Sequence, residues 1–220
     1  MKVLSWDVGI YNLSYCILEK NEETKEIKII DWDIVNLVDN EEMKKNRTLL
    51  FENIPRKLYE KPQLLDVDIV VIENQPSLKN PQMKSIQMIL YSYFLILGKI
   101  IGNKQENSSY IDKIDFCSAS NKLKVYDGPE IKLEEKVSRK KKVIEVVPES
   151  ENITIIEPEK KKKGSAIKYA DKKRLAIEYA KYYVHKDNES YIEFFDNHKK
   201  KDDLADSFLQ GLYYMKNQKL

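Results

Sequence analysis

The chain is poor in cysteine, in histidine and in long apolar runs, and each shortage narrows the class of protein. Its two cysteines, Cys16 and Cys117, lie in apolar segments, which excludes a disulfide-rich scaffold and predicts buried thiols in a reducing, intracellular compartment. The two histidines have no metal-ligand spacing. The longest apolar stretch, 86–101, is interrupted by polar residues and is shorter than the roughly 20 residues of a membrane span. We therefore expect a soluble protein with no secretory signal and no membrane partner.

An excess of one charge sign is also missing. The chain has 38 lysines and arginines against 36 aspartates and glutamates, a net charge of +2, so a nucleic-acid surface would need local segregation of charge. Its 220 residues, 42% of them hydrophobic, are enough for one domain with a substantial core. We predict a single domain over 1–220.

Apolar periodicity and turn residues predict an α/β fold with a mixed sheet. The predicted strands are 2–7, 12–19, 26–35, 68–73 and 111–117, and the predicted helices are 42–61, 81–102, 164–187 and 203–216. The first three strands form a meander. The helix over 42–61 crosses back over the sheet and makes the fourth strand parallel to the first.

The segment 127–165 departs from this pattern because it mixes charges with two prolines. It predicts a surface excursion with a short hairpin, 143–147 against 153–156. Lysine runs at 140–142 and 160–163 flank the hairpin. These lysines either keep an insertion solvated or hold the DNA backbone by releasing counterions, and both interpretations stay open.

Four carboxylates lie where an apolar pattern ends or begins. Asp203 and Asp206 are three residues apart and share one face of the last predicted helix, where they either complement the helix dipole or bind a divalent cation. Asp7 and Glu73 each end an apolar strand. Together the four acids suit two Mg²⁺ ions held roughly 4 Å apart. Asn74 and Gln75 follow Glu73 and either orient a ligand or form a turn before a proline.

Four motifs carry a resemblance to a known family. They are Asp7-x-Gly9-x-x-Asn12, Glu73-Asn74-Gln75-Pro76, Asn80-Pro81-x-Met83-Lys84 and Asp202-Asp203-Leu204-Ala205-Asp206-Ser207. In this order they resemble the RuvC-type Holliday junction resolvases, above all the branch of fungal mitochondria, poxviruses and other large DNA viruses of eukaryotes. The resemblance covers most of the chain except about 127–165. It implies an RNase H-like fold, a mixed five-stranded sheet flanked by helices.

The same resemblance implies an active site. It makes Asp7, Glu73, Asp203 and Asp206 the ligands of two Mg²⁺ ions, for which Mn²⁺ would substitute. It also matches Lys122 to the family's active-site lysine, although the short motif around it aligns on Lys124 as well.

The implied function is a Mg²⁺-dependent endonuclease that binds four-way DNA junctions as a homodimer and resolves them by paired nicks. A viral protein would act in the host cytoplasm or at a viral replication site, and a fungal one in the mitochondrion. Two alternatives remain. One is another RNase H-fold nuclease that cuts flaps or RNA–DNA hybrids, and the other is a DNA-binding architectural module that does not cut.

Overall fold

A mixed five-stranded sheet forms the centre of the molecule, as predicted. The structure is a computed structural model that describes residues 1–78, 80–102, 110–131 and 169–217. The strands are β1 (Lys2–Val8), β2 (Asn12–Lys20), β3 (Ile27–Asn36), β4 (Ile69–Glu73) and β5 (Lys113–Cys117), in the spatial order β3-β2-β1-β4-β5. The first three are antiparallel, whereas β4 and β5 run parallel to β1. The carboxyl ends of β1, β4 and β5 therefore lie at one edge of the sheet.

Helices cover both faces of this sheet. They are α1 (Glu41–Lys45), α2 (Arg47–Tyr59), α3 (Pro81–Tyr93, continued by a π-helix over Phe94–Ile101), α4 (Tyr169–Asp187), α5 (Ile192–Asn197) and α6 (Lys201–Asn217). Short 3-10 turns occupy Pro62–Leu65, Ala119–Val125 and Glu189–Tyr191.

One sequence prediction needs correction, and two elements were not predicted. The single helix expected over 42–61 is interrupted at Asn46, because its side chain accepts hydrogen bonds from the backbone N–H groups of Thr48 and Leu49 and so caps a new helix. The short α5 and the turn at Ala119–Val125 were not expected. The hairpin and lysine runs predicted within 127–165 fall on residues 132–168, outside the described residues.

Strand alternation gives the sheet two separate cores. Leu4, Trp6 and Val8 of β1 point toward α2 and α3, whereas Val3 packs in the other core, with α4, α5 and α6. Alternation puts Asp7 on the same side as Val3. The period of β1 therefore aims Asp7 at the C-terminal helices.

Helix α6 lies unusually close to the sheet. The Gln210 side-chain amide donates to the Trp6 carbonyl at 3.0 Å and to the Ser5 hydroxyl at 3.1 Å. A methyl group on Gly211 would come within 2.9 Å of the Ser5 Cβ, so only glycine allows this approach. The Ser14 and Ser207 hydroxyls add a hydrogen bond of 2.8 Å. These contacts fix the register of α6 against β1.

The opposite face is covered less completely. Among the described residues, one helix, Pro81–Ile101, is long and apolar enough to cross a membrane by length and composition. Its inner residues, Ile86, Leu90 and Phe94, are fully buried in the core. Its outer side leaves Met88 and Ile96 exposed beside α2. The helix is therefore a core element with an uncovered apolar side.

Candidate active site

Two parallel strands bring Asp7 and Glu73 together. The register of β1 and β4 pairs Ser5 with Val71 and Trp6 with Ile72, so Asp7 and Glu73 come next on adjacent strands. Both side chains point to the face covered by α6. There they meet Asp206, which projects from the second turn of that helix.

The ammonium group of Lys122 lies among these three carboxylates. Its Nζ is 2.9 Å from Asp7 Oδ1, 2.8 Å from Asp206 Oδ2 and 3.3 Å from Glu73 Oε1. The Lys122 side chain is only 8% exposed, and the 3-10 turn Ala119–Val125 positions it. Lys124 points elsewhere and donates to the Asn121 side chain. Of the two lysines left open by the sequence, Lys122 is the one that reaches the cluster.

The pKa values of the cluster reflect its burial and its excess of negative charge. Burial raises the pKa of Glu73 to about 8, with help from the neighbouring Asp7 charge. Burial also raises the pKa of Asp206 to about 6, even though Lys122 acts in the opposite direction. Burial alone would lower the pKa of Lys122, but the three carboxylates outweigh it and hold the pKa well above its ordinary value. One lysine is not enough to neutralise this site.

Asp203 lies at the border of the cluster rather than in it. It sits one turn before Asp206 on α6, and its nearest cation is Lys200, at 4.0 Å. Burial raises its pKa first, followed by the charges of Asp202 and Asp7. The structure thus brings Asp7, Glu73, Lys122 and Asp206 into direct contact and leaves Asp203 within electrostatic reach.

Two buried glutamines hold Glu73 in place. The Gln75 side chain donates to Glu73 Oε2 at 2.6 Å, and its backbone N–H donates to Gln87 Oε1 at 2.8 Å. Gln87 is fully buried on the inner side of α3 and also accepts from Lys84 at 3.1 Å. Sequence reasoning did not include Gln87. A polar residue beside Ile86 on the buried side of an apolar helix was the signal that could have revealed it.

The donor chemistry fits a hard divalent cation, although the side chains are not arranged as a finished cage. In the described ranges, no three acidic, histidine or cysteine side chains are placed to hold an ion as they stand. The Lys122 ammonium contacts the carboxylate oxygens of Asp7, Glu73 and Asp206 that a metal would need. Carboxylates with raised pKa values and too little positive charge gain from binding Mg²⁺.

Sequence comparison gives one viral relative. No protein-family model matches the chain. An uncharacterised protein of Acanthamoeba polyphaga mimivirus is 38% identical over 154 residues, which cover 69% of this chain and 30% of the viral protein. The match thus spans less than a third of that relative.

Structural comparison identifies the fold. The fowlpox virus resolvase in complex with Holliday junction DNA matches 98% of this chain with a TM-score of 0.56 and 18% identity, over 97% of its own chain. The yeast mitochondrial Holliday junction resolvase matches 97% of this chain with a TM-score of 0.57 and 17% identity, over 78% of its own chain. RuvC of T. thermophilus with its junction substrate has a TM-score of 0.51 and 11% identity, covering 97% of this chain and 92% of its own. The chain has the α/β fold of these resolvases, which confirms the predicted fold class.

Proposed function

We propose that this protein is a structure-selective DNA endonuclease that resolves four-way junctions by paired, symmetrical nicks. One observation carries the proposal. A resolvase-like fold places Asp7, Glu73 and Asp206 around Lys122 at the carboxyl ends of β1 and β4. Carboxylates at such strand ends, with a further acid on a helix, are what phosphodiester hydrolysis with two metal ions requires.

The proposed ligands are Asp7, Glu73, Asp203 and Asp206, holding two Mg²⁺ ions, with Mn²⁺ as a substitute. When bound, these ions supply the positive charge that activates water and stabilises the leaving 3′ oxygen. Lys122 cannot keep all its present contacts in that state, because the same carboxylate oxygens would bind the metal. Its ammonium group would then be available to the scissile phosphate, where it would add positive charge in the transition state.

We propose a homodimer that associates through the uncovered side of α2 and α3. A groove of ≈ 1090 Å³ lies there, lined by apolar side chains that include Tyr59, Met88 and Ile96. Arg56 also lines the groove, with Glu52 and Glu60 four residues away on either side. A two-fold copy would bury the apolar side chains and set Arg56 against a glutamate of its partner. Each protomer would then contribute one active site, as paired cutting requires.

The decisive experiment compares substrates. Purified protein should cut a synthetic four-way junction in Mg²⁺ and leave linear duplex, flap and RNA–DNA hybrid largely intact, and a chelator should stop all cutting. Preferential cutting of flap or hybrid would instead favour another RNase H-fold nuclease. Tight junction binding with no cutting in Mg²⁺ or Mn²⁺ would favour an architectural module.

Paired cutting has its own assay. On a supercoiled plasmid with an extruded cruciform, a dimer that nicks both strands in one binding event should give mainly linear product. A mixed dimer of wild-type and Asp7→Asn subunits should give nicked circles, because only one of its sites can act. Mainly nicked circles from the wild type would contradict paired resolution.

A reducing, intracellular location is also part of the proposal. Cys16 and Cys117 are both buried free thiols, which supports a compartment where no disulfide is needed.

A further inference from the structure

A cleft of ≈ 380 Å³ opens directly beside the carboxylates. One wall contains Glu73, Lys122 and Asp206, and the other comes from the first described turns of α4, with Tyr169, Lys172 and Lys173. None of these α4 residues is needed to hold a metal. The cleft therefore joins the proposed reaction centre to a second surface made of an aromatic ring and two lysines.

The Tyr169 side chain has an unusual environment. It is 76% exposed, and the Lys173 ammonium lies 5.6 Å from the centre of its ring. Lys173 in turn forms an ion pair of 2.7 Å with Asp202, the residue next to Asp203 on α6. A cation that is itself tied to the helix of the proposed ligands thus contacts the exposed ring. This arrangement links the position of Tyr169 to the reaction centre.

The chemistry of the cleft selects a nucleotide. The scissile phosphate must lie at the carboxylates, so an adjacent nucleotide of the same strand falls within reach of the cleft. An exposed aromatic ring is a stacking partner for any base with a free face, and lysines attract the phosphates on either side. In a continuous duplex both faces of every base are covered by neighbouring pairs. Where a four-way junction is held open at its strand-exchange point, coaxial stacking is interrupted and a base face becomes free.

We infer that Tyr169 is a stacking subsite for a base left unstacked at the strand-exchange point, next to the scissile phosphate, with Lys172 and Lys173 against the backbone. This inference rests on the proposed function and deepens it. The carboxylates recognise a phosphate, which every DNA carries. The α4 wall recognises the exposed base, which only interrupted helices carry, and so gives the site its preference for branched DNA.

The test separates the ring from the rest of the site. Junctions carry the fluorescent base 2-aminopurine beside the cleavage position and are bound by protein with the Asp7→Asn substitution, so that no cutting occurs. Tyr169→Ala is compared with Tyr169→Phe, which keeps the ring. Tyr110→Ala is the matched control, since Tyr110 is 46% exposed and precedes the opposite end of β5.

Tyr169→Ala should weaken junction binding about tenfold to a hundredfold, the usual contribution of stacking one base on an aromatic ring, and should leave duplex binding unchanged. The 2-aminopurine emission should be higher in the Tyr169→Ala complex than in the complex with the ring, because stacking quenches the base. Tyr169→Phe should restore both values, and Tyr110→Ala should change neither.

Three results would overturn the inference. Equal junction affinity and equal emission with and without the ring would exclude stacking. An equal loss of junction and duplex binding would make Tyr169 a general backbone contact. These two outcomes leave the proposed function intact as long as the wild type cuts junctions. A wild type that binds and cuts junctions no better than duplex would overturn both proposals.

Discussion

The two faces of the sheet hold their helices by different means. On the face that carries the carboxylates, α6 is fixed by directional contacts, with Gln210 bonded to Trp6 and Ser5 and the Trp32 indole donating to the Leu204 carbonyl at 3.1 Å. On the other face, α2 and α3 contribute two buried hydrogen-bonding side chains, Asn53 and Gln87, but pack mainly through aliphatic and aromatic side chains and leave an open apolar groove.

This difference fits the proposal that one face positions the reaction centre and the other associates with a second copy. Hydrogen bonds of fixed geometry hold a helix to a register, which a reaction centre needs because small displacements of a catalytic group are costly. Apolar packing is less directional and adapts to a partner surface. We therefore expect substitutions on the α6 face to change the proposed chemistry, and substitutions in the apolar groove of α2 and α3 to change the proposed assembly.

The largest effect is expected from the carboxylates. Asp7→Asn, Glu73→Gln and Asp206→Asn should each lower junction cleavage about a thousandfold or more, because each removes a ligand charge while keeping the side-chain volume. Junction binding should persist in a gel-shift assay. Asp196→Asn is the control, since Asp196 pairs with His185 at 3.1 Å away from the site. Normal turnover by one of the three variants would remove that residue from the site.

Charges in the groove should separate assembly from chemistry. Met88→Glu and Ile96→Asp place a carboxylate where the partner would bury an apolar surface, so sedimentation should give monomers. The cruciform plasmid should then be converted to nicked circles instead of linear product. Ile30→Asp is the control, because Ile30 is similarly exposed but lies on β3, outside the groove. Dimers in both groove variants would place the interface elsewhere.

Removing the lysine tests the electrostatics of the site. Lys122→Met leaves three carboxylates without their cation and should lower the free energy of unfolding in chelator by about 3 kcal/mol. Because Asp206 is partly exposed and solvent screens its charge, the loss should be somewhat smaller than for a fully buried cluster. Mg²⁺ binds the folded form and should restore about 2.7 kcal/mol at a hundredfold excess over its Kd. Thermal unfolding with and without Mg²⁺ measures both values. A variant as stable as the wild type in chelator would contradict the charge imbalance described here.

The smallest effects are expected when one methyl group is added to a glycine on each face of the sheet. Gly211→Ala pushes α6 away from Ser5 and should cost about 1–3 kcal/mol of stability. It should also slow cleavage per folded molecule. Gly98→Ala meets the flexible end of the Ile111 side chain on the other face, so it should lower stability without slowing cleavage. Chemical denaturation combined with single-turnover kinetics distinguishes the two, and equal kinetic effects would remove the contrast between the faces.

Periodicity predicted most of the helices and strands, and the resemblance to the RuvC-type resolvases supplied the candidate site residues. Alternation in β1 and β4 puts Asp7 and Glu73 on one face, and the spacing of Asp203 and Asp206 puts both on one side of α6. The break at Asn46 could not be predicted with the same ease, because capping by a single side chain competes with an uninterrupted apolar pattern. The contact of Lys122 with Asp7 joins residues 115 positions apart, and the local sequence pattern carries no information about contacts at such a separation.

The contacts between β1 and α6 have a consequence for the order of folding. Ser5 and Gln210, which join β1 to α6, are 205 positions apart. The meander of β1, β2 and β3 pairs neighbours in the chain and can form early, whereas contacts of such high sequence separation form slowly. We expect α6 to dock late. Partly folded chains with an ordered sheet would therefore lack Asp203 and Asp206 at the site, so the proposed reaction centre would be complete only in the final stage of folding.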